Sequence, residues 1–197
     1  MQIGIVACSA EGAALCYRTI CGEAREQVEV SLHSLPLAGY VESLNRGDLQ
    51  GDNTIHQAMP YVVPKSPLPW LHIAEVVAQE AAARGFKRVG ITGTRWLVES
   101  EVYPSKLSAV GIEAVRPSVA DRGEIQRVIM EELVNGVFTS VALFQRVFEK
   151  LRTNGCDAVV LGCTEIPLLM NDANSPLPTL DSTRLLARAA LRRAAGK

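Results

Sequence analysis

Short apolar runs alternate with longer stretches of helical periodicity along most of the chain. Strands are predicted at residues 2–8, 28–33, 87–93, 112–117, 157–162 and 176–181. Apolar residues spaced by three and four predict helices over 11–24, 71–85, 101–111, 122–136, 140–155 and 182–196. This alternation is typical of βαβ units, so we predict an α/β fold with mostly parallel sheets.

One stretch interrupts the alternation. Residues 34–53 read "SLPLAGYVESLNRGDLQGDN", and their polar second half has no apolar run that could form the strand leading into Asp52. A parallel strand needs a crossover of about a dozen or more residues, usually a helix. We therefore predict that one helix–strand unit is missing before Asp52.

Composition narrows the possible functions. Of the 197 residues, 48% are hydrophobic and 21% charged, and the net charge of −1 gives no electrostatic footprint for nucleic acid. No apolar run approaches the roughly 20 residues of a membrane span. The N-terminus "MQIGIVACSAEG" lacks a basic segment and is interpreted as a first strand, not a signal peptide. A cytoplasmic protein without nucleic-acid or membrane partners is expected.

Several predicted strands run into loops of small and polar residues. These loops are 7–12, 92–96 and 161–167, and a loop of similar composition covers 51–57. Open α/β sheets bind ligands beyond the carboxyl ends of their strands, which is where Cys163 falls. The chain has five cysteines, an odd number without zinc-ribbon or CxxC spacing, so free thiols and no metal site are expected.

Five segments resemble the aspartate/glutamate (and hydantoin) racemase superfamily. They are "GIVACSAEGAALCY" (4–17), "DNTIHQAM" (52–59), "VGITGTRWLVESEVYPSKL" (89–107), "GCTEIPLL" (162–169) and "DSTRLLARAAL" (181–191). The resemblance implies a homodimer of chains with two similar α/β domains. The N-terminal domain would cover residues 1–67, with the closing helix 180–197 packing back on it, and the second domain would cover 68–179.

The resemblance also implies a chemistry that needs no cofactor. In this family two cysteines face the substrate from opposite sides, and they move the proton on the α-carbon of a small carboxylate such as aspartate or glutamate. Cys163 matches one of these cysteines. By the same resemblance Thr164 would donate to the substrate carboxylate, and Glu165 would help to fix the loop.

Further substrate-binding residues follow from the other motifs. Asn53 and Thr54 match the carboxylate-binding pair, while Ser9 and Thr94 lie on loops that line the family's cleft. For Ser9 and Thr94, ordinary turn chemistry is an equally good interpretation.

The sequence departs from the family pattern at the first cysteine, where it has Asp52. A carboxyl with a pKa near its reference value of about 3.9 is ionised at pH 7, so Asp52 would be a poor proton donor unless burial raised its pKa. A helix N-cap is the structural interpretation of the same residue. Phe138 stands where aspartate-specific members tend to carry a lysine, which suggests a different or bulkier substrate, or none.

Three functions remain open from the sequence. The first is an amino-acid racemase in which Asp52 and Cys163 are the acid/base pair. The second is a one-cysteine decarboxylase or isomerase of the same superfamily. The third is a catalytically degenerate paralogue that binds a small carboxylate.

Overall fold

The chain divides into two compact units, each with its own parallel sheet. The structure is a computed structural model that describes residues 1–7, 9–34, 37–46 and 63–196. One unit contains Met1–His72 with Ala187–Lys197, and the other contains Ile73–Leu186. The sheets have two and four strands among the described residues, and every recorded strand pair is parallel. The predicted α/β class with parallel sheets is confirmed.

The first unit is built on a pair of parallel strands. Strands β1 (Gln2–Ala7) and β2 (Glu29–Ser34) pair in register from Gln2 opposite Glu29 to Ala7 opposite Ser34. Helix α1 (Ala10–Glu23) connects them. Apolar side chains from β1, α1 and the C-terminal helix form the core of this unit: Ile5, Cys16, Ile20 and Ala187.

A helix lies inside the stretch that interrupts the sequence pattern. Helix α2 covers Leu37–Arg46, so the segment before Asp52 does contain a helix that the sequence analysis did not predict. Leu37, Tyr40, Val41 and Leu44 have helical spacing, but Gly39 and the polar flanks make the pattern short and weak. Residues 47–62 lie outside the described ranges, so the missing strand stays a prediction.

The second unit is a four-stranded sheet with the order β4-β3-β5-β6. Its strands are β3 (Arg88–Thr92), β4 (Glu113–Val115), β5 (Ala158–Leu161) and β6 (Thr179–Asp181). The helices are α3 (Ile73–Ala83), α4 (Arg95–Glu99), α5 (Val102–Ser108), α6 (Val119–Glu131), α7 (Val141–Thr153), α8 (Ile166–Leu169) and α9 (Ser182–Ala194). Helix α9 is shared, because its residues from Ala187 onward belong to the first unit. Short 3-10 turns cover Val63–Lys65 and Leu133–Asn135. Among the helices in the described ranges, none is long and apolar enough to cross a membrane.

Strand β5 is the centre of this core. All four of its residues are fully buried, as expected for an inner strand of a parallel sheet covered on both faces. Helix α7 packs its apolar stripe of Phe144, Val147, Phe148 and Leu151 into the same core. The rings of Phe144 and Phe148 meet edge to face at 6.0 Å.

Helix α6 begins earlier than the sequence suggested. The sequence pattern starts this helix at residue 122, whereas its N-cap is Ser118, whose hydroxyl accepts a hydrogen bond from the Asp121 N–H at 3.1 Å. Asp121 is buried, and Lys150 Nζ donates to its carboxylate at 2.7 Å. Burial opposes ionisation of Asp121, but the hydrogen bonds from Lys150 and Ser118 outweigh it and lower the pKa of this carboxyl.

The end of β5 is pressed against the end of β3. The Gly162 N–H donates to the Thr92 carbonyl at 2.9 Å. A Cβ at position 162 would lie 2.6 Å from that carbonyl oxygen and 2.7 Å from Leu97 Cδ2. Because the first of these atoms belongs to the backbone of a paired strand, it cannot move aside without disturbing the sheet. Only glycine fits at position 162.

We expect Gly162→Ala to lower the free energy of unfolding by about 1–3 kcal/mol, the usual cost of forcing atoms into a packed core. Denaturation followed by circular dichroism would measure it. The matched control is Gly123→Ala in α6, where an added Cβ meets nothing within 4 Å. That change should stabilise the helix by up to about 1 kcal/mol. A Gly162→Ala variant as stable as the unsubstituted chain would contradict the packing argument.

Candidate active site at the ends of three strands

Three neighbouring strands deliver polar residues to one edge of the four-stranded sheet. In the register of this sheet, Leu161 of β5 lies opposite Thr92 of β3 and Asp181 of β6. All three strands run in the same direction, so the residues that follow them emerge at the same edge. Thr94, Cys163 and Ser182 are those residues, which makes this edge the candidate site.

The loops after β3 and β5 touch through two glycines. Gly93 has φ 152°, and a Cβ there would lie 2.9 Å from Leu97 Cδ2 and 3.6 Å from the Cys163 nitrogen. Gly162 is equally confined. The absence of side chains at both positions lets the two loops approach, and this contact fixes where the backbone of Cys163 leaves the sheet.

The Cys163 thiol is held by a buried carboxylate. Cys163 Sγ donates to Glu165 Oε2 at 2.9 Å, and the Thr164 hydroxyl donates to the same oxygen at 2.8 Å. Glu165 is only 4% exposed, whereas Cys163 and Thr164 are half-buried. An ionised carboxylate only accepts hydrogen bonds, so this arrangement favours the protonated thiol over the thiolate.

Cys163, Thr164 and Glu165 are consecutive in the chain, and the structure adds a detail to the role predicted for Thr164. The hydroxyl that the sequence assigned to a substrate carboxylate is donated here to Glu165. Glu165 therefore organises both neighbours at once. The assigned roles of these three residues stay predictions.

Thr94 and Ser9 are both helix N-caps. Thr94 Oγ1 accepts from the Leu97 N–H at 3.5 Å at the start of α4. Ser9 belongs to the first unit, where its Oγ accepts from the Gly12 N–H at 3.2 Å at the start of α1. The turn chemistry considered for both residues is thus present. Their contact with a substrate stays a prediction.

Three predicted site residues lie outside the described ranges: Asp52, Asn53 and Thr54. The structure therefore gives no geometry for the residue that replaces the first family cysteine, nor for the carboxylate-binding pair beside it. Within the described ranges, no group of three or more His, Cys, Asp or Glu side chains is arranged to hold a metal ion.

Tyr103 and Ser182 are close to the site, although the sequence analysis did not single them out. Tyr103 in α5 is 1% exposed, and its Cε2 lies 3.6 Å from the position of a Cβ on Gly162. The pKa of Tyr103 is raised above its ordinary value, chiefly by burial; the neighbouring Ser182 hydroxyl lowers this pKa, and the nearby Asp181 and Cys163 raise it. Both residues lie in segments that carry the family resemblance, which is the signal that could have identified them.

The other described cysteines have different surroundings. Cys16 is buried in the core of the first unit, and this burial raises the pKa of its thiol to about 11. Burial also raises the pKa of Cys156. Cys21 is exposed. Burial makes Cys16 and Cys156 unsuited to ionisation at neutral pH, and both behave as small buried hydrophobic residues.

Sequence relatives match large parts of this chain. A sequence profile described as Asp/Glu/Hydantoin racemase matches residues 50–190. The broad specificity amino-acid racemase RacX of Bacillus subtilis is 24% identical over 136 residues, which are 69% of this chain and 59% of RacX. A glutamate racemase of Thermus thermophilus is 30% identical over 136 residues, which are 66% of this chain and 48% of that enzyme. The matches thus span about half of these two relatives.

A solved structure matches the whole chain. It is the crystal structure of a Yersinia pestis protein assigned as an Asp/Glu racemase. It superposes with a TM-score of 0.84 at 27% identity and covers 99% of this chain and 100% of that one. The fold expected from the resemblance is therefore confirmed.

We expect iodoacetamide at pH 8 to alkylate Cys21 fastest in the native protein, because its side chain reaches solvent. Cys163 should react more slowly than Cys21, because the neighbouring Glu165 carboxylate disfavours its thiolate. Cys16 and Cys156 should react at least about 10-fold more slowly, because only the thiolate is nucleophilic and burial disfavours it. Peptide mapping by mass spectrometry would give the four rates. All four should become similar in urea. A native Cys16 that reacts as fast as Cys21 would contradict the burial of that thiol.

Proposed function

This chain belongs to the Asp/Glu/hydantoin racemase family, and on that premise we propose that it is a cofactor-independent amino-acid racemase or epimerase. Its substrate would be a small carboxylate such as aspartate or glutamate, and the reaction a proton transfer at the α-carbon. The family match and the racemase relatives RacX and glutamate racemase support the class of reaction. The chain spans about half of those relatives, so its own activity is part of the proposal.

The observation that carries the proposal is the thiol of Cys163 at the end of β5. Cys163 Sγ donates a hydrogen bond to Glu165 Oε2, and these two atoms are 2.9 Å apart. Racemisation needs a base that removes the α-proton and an acid that returns a proton to the opposite face. A half-buried thiol in this setting is a suitable proton donor. After donation the sulfur is a thiolate, which can accept an α-proton in the reverse reaction.

Asp52 is the proposed second group. Family members have a cysteine at this position. An aspartate can also transfer a proton, but its protonation state before the reaction differs from that of a thiol. A carboxyl near its reference pKa of about 3.9 is ionised at pH 7 and is therefore a base. The proposed pair is a carboxylate base and a thiol acid. Asn53, Thr54, Thr94, Thr164 and Ser9 are the proposed donors to the substrate carboxylate.

The presence of Asp52 in place of the first family cysteine also favours a second candidate function. In a one-cysteine decarboxylase, loss of carbon dioxide from a small diacid leaves a carbanion, and a single thiol protonates it from one face. The thiol of Cys163 would perform that step without a second acid/base group. A binding paralogue without turnover is the third possibility.

We expect the protein to exchange the α-proton of an amino acid for deuterium in D2O, detected by NMR with aspartate, glutamate and other small carboxylates. Cys163→Ser should abolish inversion of the α-carbon, measured by chiral chromatography of the same samples, because a serine hydroxyl is a far weaker acid than a thiol. Asp52 alone could exchange the proton only with retention of configuration. Cys21→Ala is the matched control, since Cys21 is exposed on α1, and it should retain full activity.

The same samples distinguish the other candidates. Release of carbon dioxide from a diacid without α-exchange would identify the decarboxylase. Ligand-induced stabilisation without either reaction would favour the binding protein. Inversion of the α-carbon that persists in Cys163→Ser would contradict the role of this thiol.

We expect Glu165→Gln to have opposite effects on two measurements. Removal of a negative charge 2.9 Å from the sulfur favours the thiolate, so alkylation of Cys163 at pH 7 should become faster by about 10-fold. The α-exchange rate should fall, because the thiol loses the carboxylate that holds its proton. Glu149→Gln is the control, since Glu149 pairs with Arg152 on the exposed face of α7. Unchanged alkylation in Glu165→Gln would contradict the proposed electrostatic role.

A further inference from the structure

Strand β5 ends in a peptide group that is held from both sides. The carbonyl of Leu161 and the N–H of Gly162 belong to this one group. The Ser182 hydroxyl donates to the carbonyl at 2.7 Å, and the N–H donates to the Thr92 carbonyl at 2.9 Å. Ser182 directly follows β6 and Thr92 ends β3, so each neighbouring strand supplies one contact. The last peptide group before Gly162 is therefore fixed at both of its polar atoms.

A second hydroxyl holds the preceding peptide group. The Thr92 hydroxyl donates to the Val160 carbonyl at 2.7 Å. Thr92 and Ser182 are both fully buried. A valine at 92 and an alanine at 182 would fill nearly the same space without a buried polar group to satisfy. The two hydroxyls therefore do more than fill space, because each ties a carbonyl near the end of β5 to an adjacent strand.

Gly162 is the reason why such a restraint matters. A Cβ at this position would lie 2.6 Å from the Thr92 carbonyl oxygen, so the close approach of β3 and β5 requires glycine. Glycine is also the residue with the widest choice of backbone angles. Cys163 follows it directly, so rotation about the bonds of Gly162 would turn the thiol away from Glu165. Hydrogen bonds on the peptide group before Gly162 remove part of this freedom.

We propose that the hydroxyls of Ser182 and Thr92 position Cys163 for proton transfer. Both are positioning residues, since they act on the thiol through the backbone at the end of β5. The inference rests on the proposed function, in which Cys163 returns a proton to one defined face of the α-carbon. Such a transfer needs a thiol that is held close to the carbon atom and correctly directed.

The test compares Ser182→Ala and Thr92→Val with Thr179→Val in the full chain. Thr179 is the matched control, because it also carries a buried hydroxyl in the second unit, and it donates to Asp172 Oδ1 at 2.7 Å. Each variant is given single enantiomers of aspartate and glutamate in D2O. NMR measures α-exchange, chiral chromatography measures inversion, iodoacetamide measures the reactivity of Cys163, and circular dichroism measures Tm.

The decisive quantity is the ratio of inversion to α-exchange for the enantiomer whose proton Asp52 removes. If the thiol is misdirected, Asp52 returns a deuteron to the same face, and exchange continues without inversion. Ser182→Ala and Thr92→Val should therefore lower the ratio by about 10- to 100-fold. A loss of folded protein reduces both rates equally and leaves the ratio unchanged. Thr179→Val should keep the ratio of the unsubstituted chain.

Two further measurements separate the position of the thiol from stability. All three variants should lower Tm by about 2–4 °C, because each loses one buried hydrogen bond. Alkylation of Cys163 should become several-fold faster only in Ser182→Ala and Thr92→Val, because the loosened thiol spends less time beside the carboxylate that disfavours its thiolate. Thr92→Ser keeps a hydroxyl and should restore both the ratio and the alkylation rate.

Two results would overturn the inference. One is an unchanged ratio and alkylation rate in both Ser182→Ala and Thr92→Val. The other is an equal fall of the ratio in Thr179→Val, which would mean a general effect on the fold. If the unsubstituted protein shows no α-exchange, the proposed function fails, and the alkylation rates decide whether the hydroxyls position the thiol. If one of the two variants does not fold, the other decides alone.

Discussion

The contact between the ends of β3 and β5 is the constraint on which the candidate site depends. Gly162 donates to Thr92 at a place where a Cβ would overlap the carbonyl oxygen. This contact forces the chain out of the sheet immediately after Leu161 and leaves Cys163 at the rim. The fully buried strand before it anchors the residue in a rigid core. A thiol at this rim combines a fixed backbone with access to solvent, and proton transfer to a ligand needs both properties.

Glu165 imposes the second constraint, which is electrostatic. A buried carboxylate must be satisfied by donors, and Cys163 and Thr164 both supply one. Removal of the thiol proton would place two negative charges 2.9 Å apart. The protonation state of Cys163 is thus coupled to the satisfaction of a buried carboxylate.

The sequence predicted the strands well and the long-range contacts poorly, for physical reasons. The run "DAVVLG" identifies β5 because a strand buried on both faces is continuously apolar. Helix α4 escaped prediction because it has only five residues, and α2 did so because Gly39 and its polar flanks weaken the apolar periodicity. Cys163, Thr164 and Glu165 are consecutive, so a local motif was enough to group them. The hydrogen bond from the Ser182 hydroxyl to the Leu161 carbonyl joins distant segments, and no periodicity encodes such a pair.

The pairing of a thiol acid with a carboxylate base would have a consequence for turnover. With Asp52 as the base, one reaction leaves Asp52 protonated and Cys163 as a thiolate beside Glu165. That product form is the one that the Glu165 charge disfavours, so proton exchange with water would restore the starting form between turnovers. A symmetric pair of thiols has no such preference. A decarboxylase needs the same restoration, because its single thiol must regain a proton from water after every cycle. The carboxylate beside Cys163 therefore suits either reaction, provided that the thiol starts each cycle as the proton donor.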